Sequence, residues 1–229
     1  MSAPLSVILP TLNAAPALGP TLGALGEAAT TGLLREVIFT DGGSMDGTER
    51  VAEDVGALWV SGPPGRGGQL RRGAAAATGD WLLFLHADTV LAEGWDAAVH
   101  AHISTKGDRA AVFRLRFDSA GLAPRLVAGW ANLRTTLFGL PYGDQGLLVS
   151  RKLYDRVGGF ADMPLMEDVH LARRLRRRID VLPCEAVTSA ERYVREGWLR
   201  RGARNLTTLA LYTLGRSPEA LARRYRRGS

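Results

Sequence analysis

Residues 79–89 read GDWLLFLHADT, and the fold turns on how this stretch is taken. Trp81 to Leu85 is an unbroken apolar run of strand length, too short for a buried helix and without the alternation of a half-exposed strand. It reads as a strand covered on both faces, as in an α/β sheet. The run stops at His86-Ala87-Asp88-Thr89, a polar cluster at the strand's C-terminal end, where open α/β sheets bind ligands. Asp88 is a hard oxygen donor suited to Mg²⁺ or Mn²⁺, with phosphate oxygens completing the shell. A turn in which Asp88 caps a following helix would account for the same residues.

Upstream the pattern repeats. Leu5 to Leu9 is a β-type run ended by Pro10-Thr11-Leu12-Asn13. Glu36 to Thr40 is a second strand, followed by the glycine-rich loop Asp41–Thr48. Leu58-Trp59-Val60 is a short third strand, followed by a Pro/Gly-rich loop over 61–68. Helices are expected at 17–29, 49–55 and 69–77. Strand and helix alternate, so a parallel sheet with right-handed crossovers is expected. The three polar clusters then converge on one crevice. Carboxylates, exposed amides and the cations between Arg66 and Arg72 suit a ribose, a base and a diphosphate. No GxGxxG spacing follows the first strand and no GxxxxGK[ST] loop occurs.

Composition narrows the class. The chain has 229 residues, 46% of them hydrophobic, enough for one large domain with a C-terminal appendage. The single cysteine, Cys184, excludes an internal disulfide framework and fits a reducing compartment. No apolar run approaches transmembrane length and no signal peptide is read at the N-terminus, so a cytoplasmic protein is expected. Residues 171–229 hold 15 Arg against 5 acidic residues, whereas the first 170 hold 14 basic against 18 acidic. That asymmetry suits an anionic partner, a phosphate or an anionic membrane at the inner face of the cell envelope, as readily as it suits a solvated helical face.

Further along, Ala111–Phe117 alternates as a half-exposed strand. Residues 121–138 read as an amphipathic helix with Arg125 and Arg134 on a cationic face, a surface helix by default, with a lid or a membrane-skimming helix as the alternatives. Pro141-Tyr142-Gly143-Asp144-Gln145-Gly146 is a tight loop before the strand Leu147–Val149; its glycines would let an acceptor approach the backbone. Met166-Glu167-Asp168-Val169-His170 opens a helix. Two carboxylates there stabilise its N-terminus, and one of them could equally take a proton from an acceptor. His170 is a further metal-ligand candidate. The tail carries Arg192, a helix at 197–214 with Leu206, Leu209, Ala210 and Leu214 as a core or dimer stripe, and a helix at 218–227 ending in the cluster Arg223–Arg227, a candidate for anionic lipid.

SVILPTLN, EVIFTDGGSMDGT and GDWLLFLHADT resemble the donor-site segments of family 2 glycosyltransferases, which have the GT-A fold. HADT, together with PYGDQGLLVSRKLYDRVGGF and MEDVHL, is similar to a bacterial subfamily, the radical-SAM/selenodomain-associated transferases. The resemblance runs over residues 5–195. It implies a GT-A domain over 1–195, with a nucleotide-sugar donor half at 1–110 and an acceptor half at 111–195, and a helical extension over 196–229. It implies an inverting, metal-dependent transfer of a sugar from a nucleoside diphosphate, UDP above all, to a hydroxyl acceptor that is a small molecule or a lipid; nucleic acid is not an expected partner. Donor contacts would come from Pro10, Thr11 and Asn13, from Asp41 and Gly43, from Arg66, Gln69 and Arg71, and from His86, Ala87 and Asp88. Asp88 would be the last Asp of the family's DXD element and hold the metal; His86 stands where that element has its first Asp. Tyr142, Gly143, Asp144, Gln145 and Glu167 would face the acceptor, Asp168 would be the general base, and Arg192 would meet phosphate. A nucleotidylyltransferase-like enzyme and a non-catalytic binder acting through the Arg-rich tail are the alternatives.

Overall fold

The computed structural model describes residues 3–175 and 178–227. In chain order the N-terminal part runs β1 (Leu5–Thr11), α1 (Ala15–Ala29), β2 (Leu34–Asp41), α2 (Thr48–Asp54), β3 (Leu58–Ser61), α3 (Arg66–Ala76), β4 (Trp81–Phe84), β5 (Thr89–Leu91) and α4 (Trp95–Thr105). Then come β6 (Ala110–Phe117), α5 (Leu122–Phe138), a 3₁₀ turn at Gly143–Gln145, β7 (Leu147–Ser150), α6 (Arg151–Arg156), α7 (Glu167–Arg174) and β8 (Ile179–Thr188). Three helices close the described chain: α8 (Glu191–Glu196), α9 (Trp198–Thr213) and α10 (Pro218–Arg227).

The strands form one sheet in the order β3-β2-β1-β4-β7-β6-β8-β5. β1, β2, β3 and β4 are mutually parallel, as expected, and β6 runs parallel to β8. β7 is antiparallel to both β4 and β6, and β5 to β8. The sheet is therefore mixed, with its parallel strands confined to the N-terminal part and one distant pair. The β1–β4 neighbourhood explains the unbroken apolar runs. Val7, Leu9 and Leu83 point into one core layer with Leu18, Trp95 and Phe113. Ile8, Leu82 and Phe84 point into the opposite layer with Leu70, Leu153 and Phe160. Side chains alternate faces along a strand, so a strand covered twice must be apolar at every position. Each such side chain contributes about 1.5–3 kcal/mol by leaving water.

Strand order reverses at β1, with β2 leaving to one side and β4 to the other. The crevice at the C-terminal ends of β1 and β4 is the place such sheets offer a ligand. Gly73 lets α3 lie directly on the sheet: a Cβ there would stand 2.3 Å from Ile8 Cγ2 and 2.7 Å from Thr40 Cγ2. That close approach carries Arg66 and Gln69, at the start of α3, to the strand tips.

Five elements lie outside the sequence expectations: β5, α4, α6, β8 and α8. Arg134 is not on a cationic surface: it is 4% exposed, with its guanidinium 3.5 Å from the centre of the Tyr142 ring. The α9 stripe is split: Leu206 and Leu214 are 42% and 81% exposed, while Leu209 packs inward. The C-terminal helices pack on the rest of the chain: Leu209 and Leu221 lie with Met166, Val169 and Tyr142. In the terminal cluster Arg223 and Arg224 are exposed, while the side chains of Arg226 and Arg227 lie outside the described residues.

Candidate active site

The strand tips open into a cleft of about 730 Å³. Thr11 at the end of β1 lines it; Asp41 at the end of β2 does not, and is joined to it by the Thr11 hydroxyl. Asp41 is 2% exposed and accepts hydrogen bonds from Thr11 Oγ1 at 3.0 Å, from the Gly43 and Ser44 amides at 2.6 and 2.7 Å, and from the Ser44 hydroxyl. Burial pushes this carboxyl up, but the bonds from Ser44, Gly43 and Thr11 outweigh it and hold it below the usual range. Gly43 has φ +99° and does not line the cleft; its part is to present its amide to Asp41. Asn13, also left-handed at φ +51°, receives Met45 N on its Oδ1 and donates its own amide to Ser44 Oγ. Those bonds tie the β1 and β2 loops together, with Pro10, Thr11 and Asn13 on the cleft wall.

Gln69 stands in the cleft wall with its amide fully engaged. Nε2 donates to Thr11 O at 2.8 Å and Thr40 O at 2.6 Å, and Oε1 accepts from Gly65 N. It stitches the two strand ends rather than offering a free donor. Arg71 is not brought to the site. Its side chain is 61% exposed, faces Asp162 at 3.8 Å and does not border the cleft. Its neighbour Arg72 instead binds the Pro63 and Asp41 carbonyls.

The β4–β5 turn supplies His86, Ala87 and Asp88, all lining the cleft. Asp88 caps no helix, because β5 follows at once. Among the described residues no donor takes its oxygens, and the His86 ring is 4.0 Å away. His86 Nε2 touches the Arg66 guanidinium, which also stands 3.8 Å from Glu167. Burial first, then the charges of Arg66 and Arg192, hold His86 well below its ordinary value, so the ring is neutral at physiological pH. Arg192 is exposed on the cleft rim.

Further lining comes from the 141–146 loop and α7. Tyr142, Gly143 and Asp144 line the cleft, as do Glu167 and Asp168. Gln145 does not: it is fully buried, accepting from Thr135 Oγ1 at 2.6 Å and donating to Phe113 O, which fixes the loop from behind. Asp168 accepts from Gly143 N at 2.8 Å and Val169 N at 2.7 Å. Glu167 is 4% exposed beside a small cavity walled by Leu70, Phe84 and Phe160. Burial there, then the Asp168 charge, push its carboxyl up, and Arg66 offsets only part of this. Burial likewise pushes Asp144 up to about 6, against the pull of Arg134; its Oδ1 is sealed from solvent without a partner among the described residues. His170 points elsewhere, with Nδ1 3.1 Å from Tyr212 Oη on α9.

Arg192 was the one tail residue expected at the site, yet Tyr193, Arg201, Asn205 and Tyr225 also line the cleft. The only signal was aromatic residues interleaved with the Arg-rich segment. For a divalent ion, no cluster of three or more carboxylate, His or Cys side chains occurs among the described residues. The donor set is thus one free carboxylate, Asp88, which fits an ion that draws its remaining ligands from a bound diphosphate.

The family model for glycosyl transferase family 2 matches residues 6–161. The chain belongs to glycosyl transferase family 2. Solved structures agree on a GT-A α/β fold for this family 2 member. A mannosyltransferase from Pyrobaculum calidifontis, in complex with GDP-Man and Mn²⁺, superposes with TM-score 0.68 at 21% identity, over 96% of this chain and 67% of that one. Glucosyl-3-phosphoglycerate synthase from Mycobacterium tuberculosis, in complex with Mn²⁺, UDP and phosphoglyceric acid, gives 0.57 at 25% identity over 78% and 68%. TarS 1-349 from S. aureus with UDP-GlcNAc gives 0.62 at 18% identity over 82% of this chain. The family 2 member spans only 59% of that TarS chain. A search of curated protein sequences returns no match to it.

Proposed function

We propose that this protein transfers a sugar from a nucleoside diphosphate sugar, UDP-linked in the first instance, to a hydroxyl acceptor with inversion at the anomeric carbon. The observation that carries the reading is one cleft lined by Asp88 on the β4–β5 turn, by Asp168 on α7 and by Thr11, whose hydroxyl donates to the buried Asp41. Asp41 stays ionised and suits ribose and base donors. Asp88 would hold Mg²⁺ or Mn²⁺, which when bound supplies positive charge against the diphosphate. Arg66 and Arg192 add fixed cations on the same side, and neutral His86 can hydrogen-bond a hydroxyl.

Asp168 takes the proton from the acceptor hydroxyl. The freed oxygen forms a bond to the anomeric carbon as the bond from that carbon to the phosphate oxygen breaks, and the nucleoside diphosphate leaves. The Gly143 amide orients Asp168, and Glu167, its carboxyl raised by burial, positions Arg66. The HADT and MEDVHL wording supports the radical-SAM/selenodomain-associated branch of the family. The site works in a cytoplasmic setting where nucleotide-sugars are made, and no described helix is long and apolar enough to cross a membrane.

The direct experiment is a thermal-shift panel of UDP-, GDP- and dTDP-sugars with and without Mn²⁺. A ligand at about 100 times its Kd stabilises by about 2.7 kcal/mol. A metal-dependent shift with one nucleotide class supports the reading, and no shift with any donor sinks it.

A further inference from the structure

The two faces of α5 do different work. Its inner face is built into the protein: Asn132 exchanges hydrogen bonds with the Leu115 backbone, Thr135 holds Gln145, and Arg134 donates to Leu140 O. Its outer face is apolar and bare. Leu122, Leu126, Trp130 and Leu133 are 73%, 64%, 47% and 48% exposed. At 3.6 residues per turn these positions fall on one stripe, with Arg125 at its edge. Scattered exposed leucines are ordinary, but a continuous row along a helix of this length is not. α9 packs on α5 and brings Leu199 and Leu206, 87% and 42% exposed, together with exposed Arg200.

We propose that the outer face of α5 docks on an anionic lipid bilayer. Charge selects this occupant over a second copy of the chain. Neither α5 nor α9 contains an acidic residue, while Arg125 and Arg200 are exposed on them. Two such faces brought together would oppose cation to cation with no carboxylate between them. A bilayer bearing anionic headgroups offers acyl carbon to the leucines, an interfacial seat to Trp130 and counter-charge to the arginines. Because the inner face of the same helix holds the 141–146 loop, docking sets that loop at a fixed height above the lipid. The docking itself does not rest on the transferase reading.

The test is flotation of the full chain with vesicles of phosphatidylcholine alone, or of equal parts phosphatidylcholine and phosphatidylserine, at low and high salt. The chain should float with the mixed vesicles and not with phosphatidylcholine alone, and brominated lipid should quench Trp130 fluorescence by comparison with Trp130→Ala. Leu126→Glu/Leu133→Glu should lower binding at least about tenfold. Neither side chain is buried, so its melting curve should match that of the wild type, and Trp130→Ala gives a second reading of the same face. Mn²⁺-dependent stabilisation by nucleotide-sugar, read on the same samples, should be unchanged in both variants, which separates loss of docking from loss of the donor site. Absence of flotation, flotation unaffected by these substitutions, or a dimer that Leu126→Glu/Leu133→Glu disperses would each overturn the proposal.

Discussion

The amide of Gly143 donates to Asp168 Oδ2 at 2.8 Å, so one bond ties the acceptor-side loop to the first turn of α7. On its other side Gly143 abuts His86, where a Cβ would stand 2.6 Å from Nε2. The His86 ring is itself pressed against Arg66. A Gly143→Ala substitution must therefore move either the loop or the imidazole, and both displacements reach the residues that orient Asp168 and Arg66. We expect turnover to fall by about 10–100-fold, the scale of a misplacement of about 1 Å, with nucleotide binding at the Thr11–Asp41 pair retained. Calorimetric titration of UDP set beside a transfer assay measures both; equal losses in binding and turnover would refute the coupling.

Asp88 and Asp168 line the same cleft from different elements, and their substitutions should separate. Asp88→Ala removes the one carboxylate free to meet a metal-bound diphosphate, so Mn²⁺-dependent donor binding should disappear. Asp168→Asn keeps the shape and an oxygen for the Gly143 amide but cannot accept the acceptor's proton. Donor binding should survive while kcat falls by about 10²–10⁴-fold, the usual worth of a positioned base. If Asp168→Asn leaves kcat unchanged, the base lies elsewhere.

Asp144 should make stability depend on pH. Its carboxyl titrates near about 6 in the folded chain against an ordinary 3.8. The folded state therefore binds a proton more tightly than the unfolded one, and stability falls as pH rises through that window and stays lower above it. Asp144→Asn removes the cost of ionising the group. The variant should be more stable than the wild type at about pH 8, by on the order of 1–2 kcal/mol, with the gain gone at about pH 4. Urea melts across this range measure it, and a gain that does not vary with pH would contradict the assignment.

Which parts of this were legible follows from local physics. The N-terminal part was readable because each strand is short, apolar and stopped by its own polar cluster, so the tips of β1, β2 and β4 announce themselves. β8 was hidden by Pro183, which has no amide for a ladder and argues against a strand. The sheet absorbs it where the β6–β8 register slips between Val112 and Arg114, so that Val181 and Glu185, four apart, pair with residues two apart. Inward positions Leu182, Cys184 and Ala186 still alternate with outward ones, and that was the available signal. β5, three residues long, carries no pattern at all. Asp88, Glu167 and Asp168, which line the cleft, were legible because carboxylates at strand and helix ends are conspicuous. Arg71 was preferred wrongly, since a helix start does not reveal which arginine faces the cleft. Gln145 was misassigned because a polar residue between glycines looks exposed until Thr135 is seen to bind it.

Met166 shows how the C-terminal helices hold this wall in place. It precedes α7 with φ +69°, a left-handed conformation that costs a side-chain-bearing residue about 1–2 kcal/mol. Its side chain is 6% exposed, packed with Val169 and with Leu221 of α10. Losing that burial should cost about 2–5 kcal/mol, more than the backbone strain, so Met166→Gly should be net destabilising. Met166→Ala loses the same packing and keeps the strain. The glycine variant should therefore be the more stable of the two, by about 1 kcal/mol, reversing the order seen for these residues inside a helix. Leu221→Ala, on the other side of the contact, should destabilise α7 and lower turnover even though residue 221 is remote from the reacting atoms. Urea denaturation of the three variants decides the matter: an alanine variant more stable than the glycine one would mean that residue 166 does not hold the left-handed turn that aims Glu167 and Asp168 into the cleft.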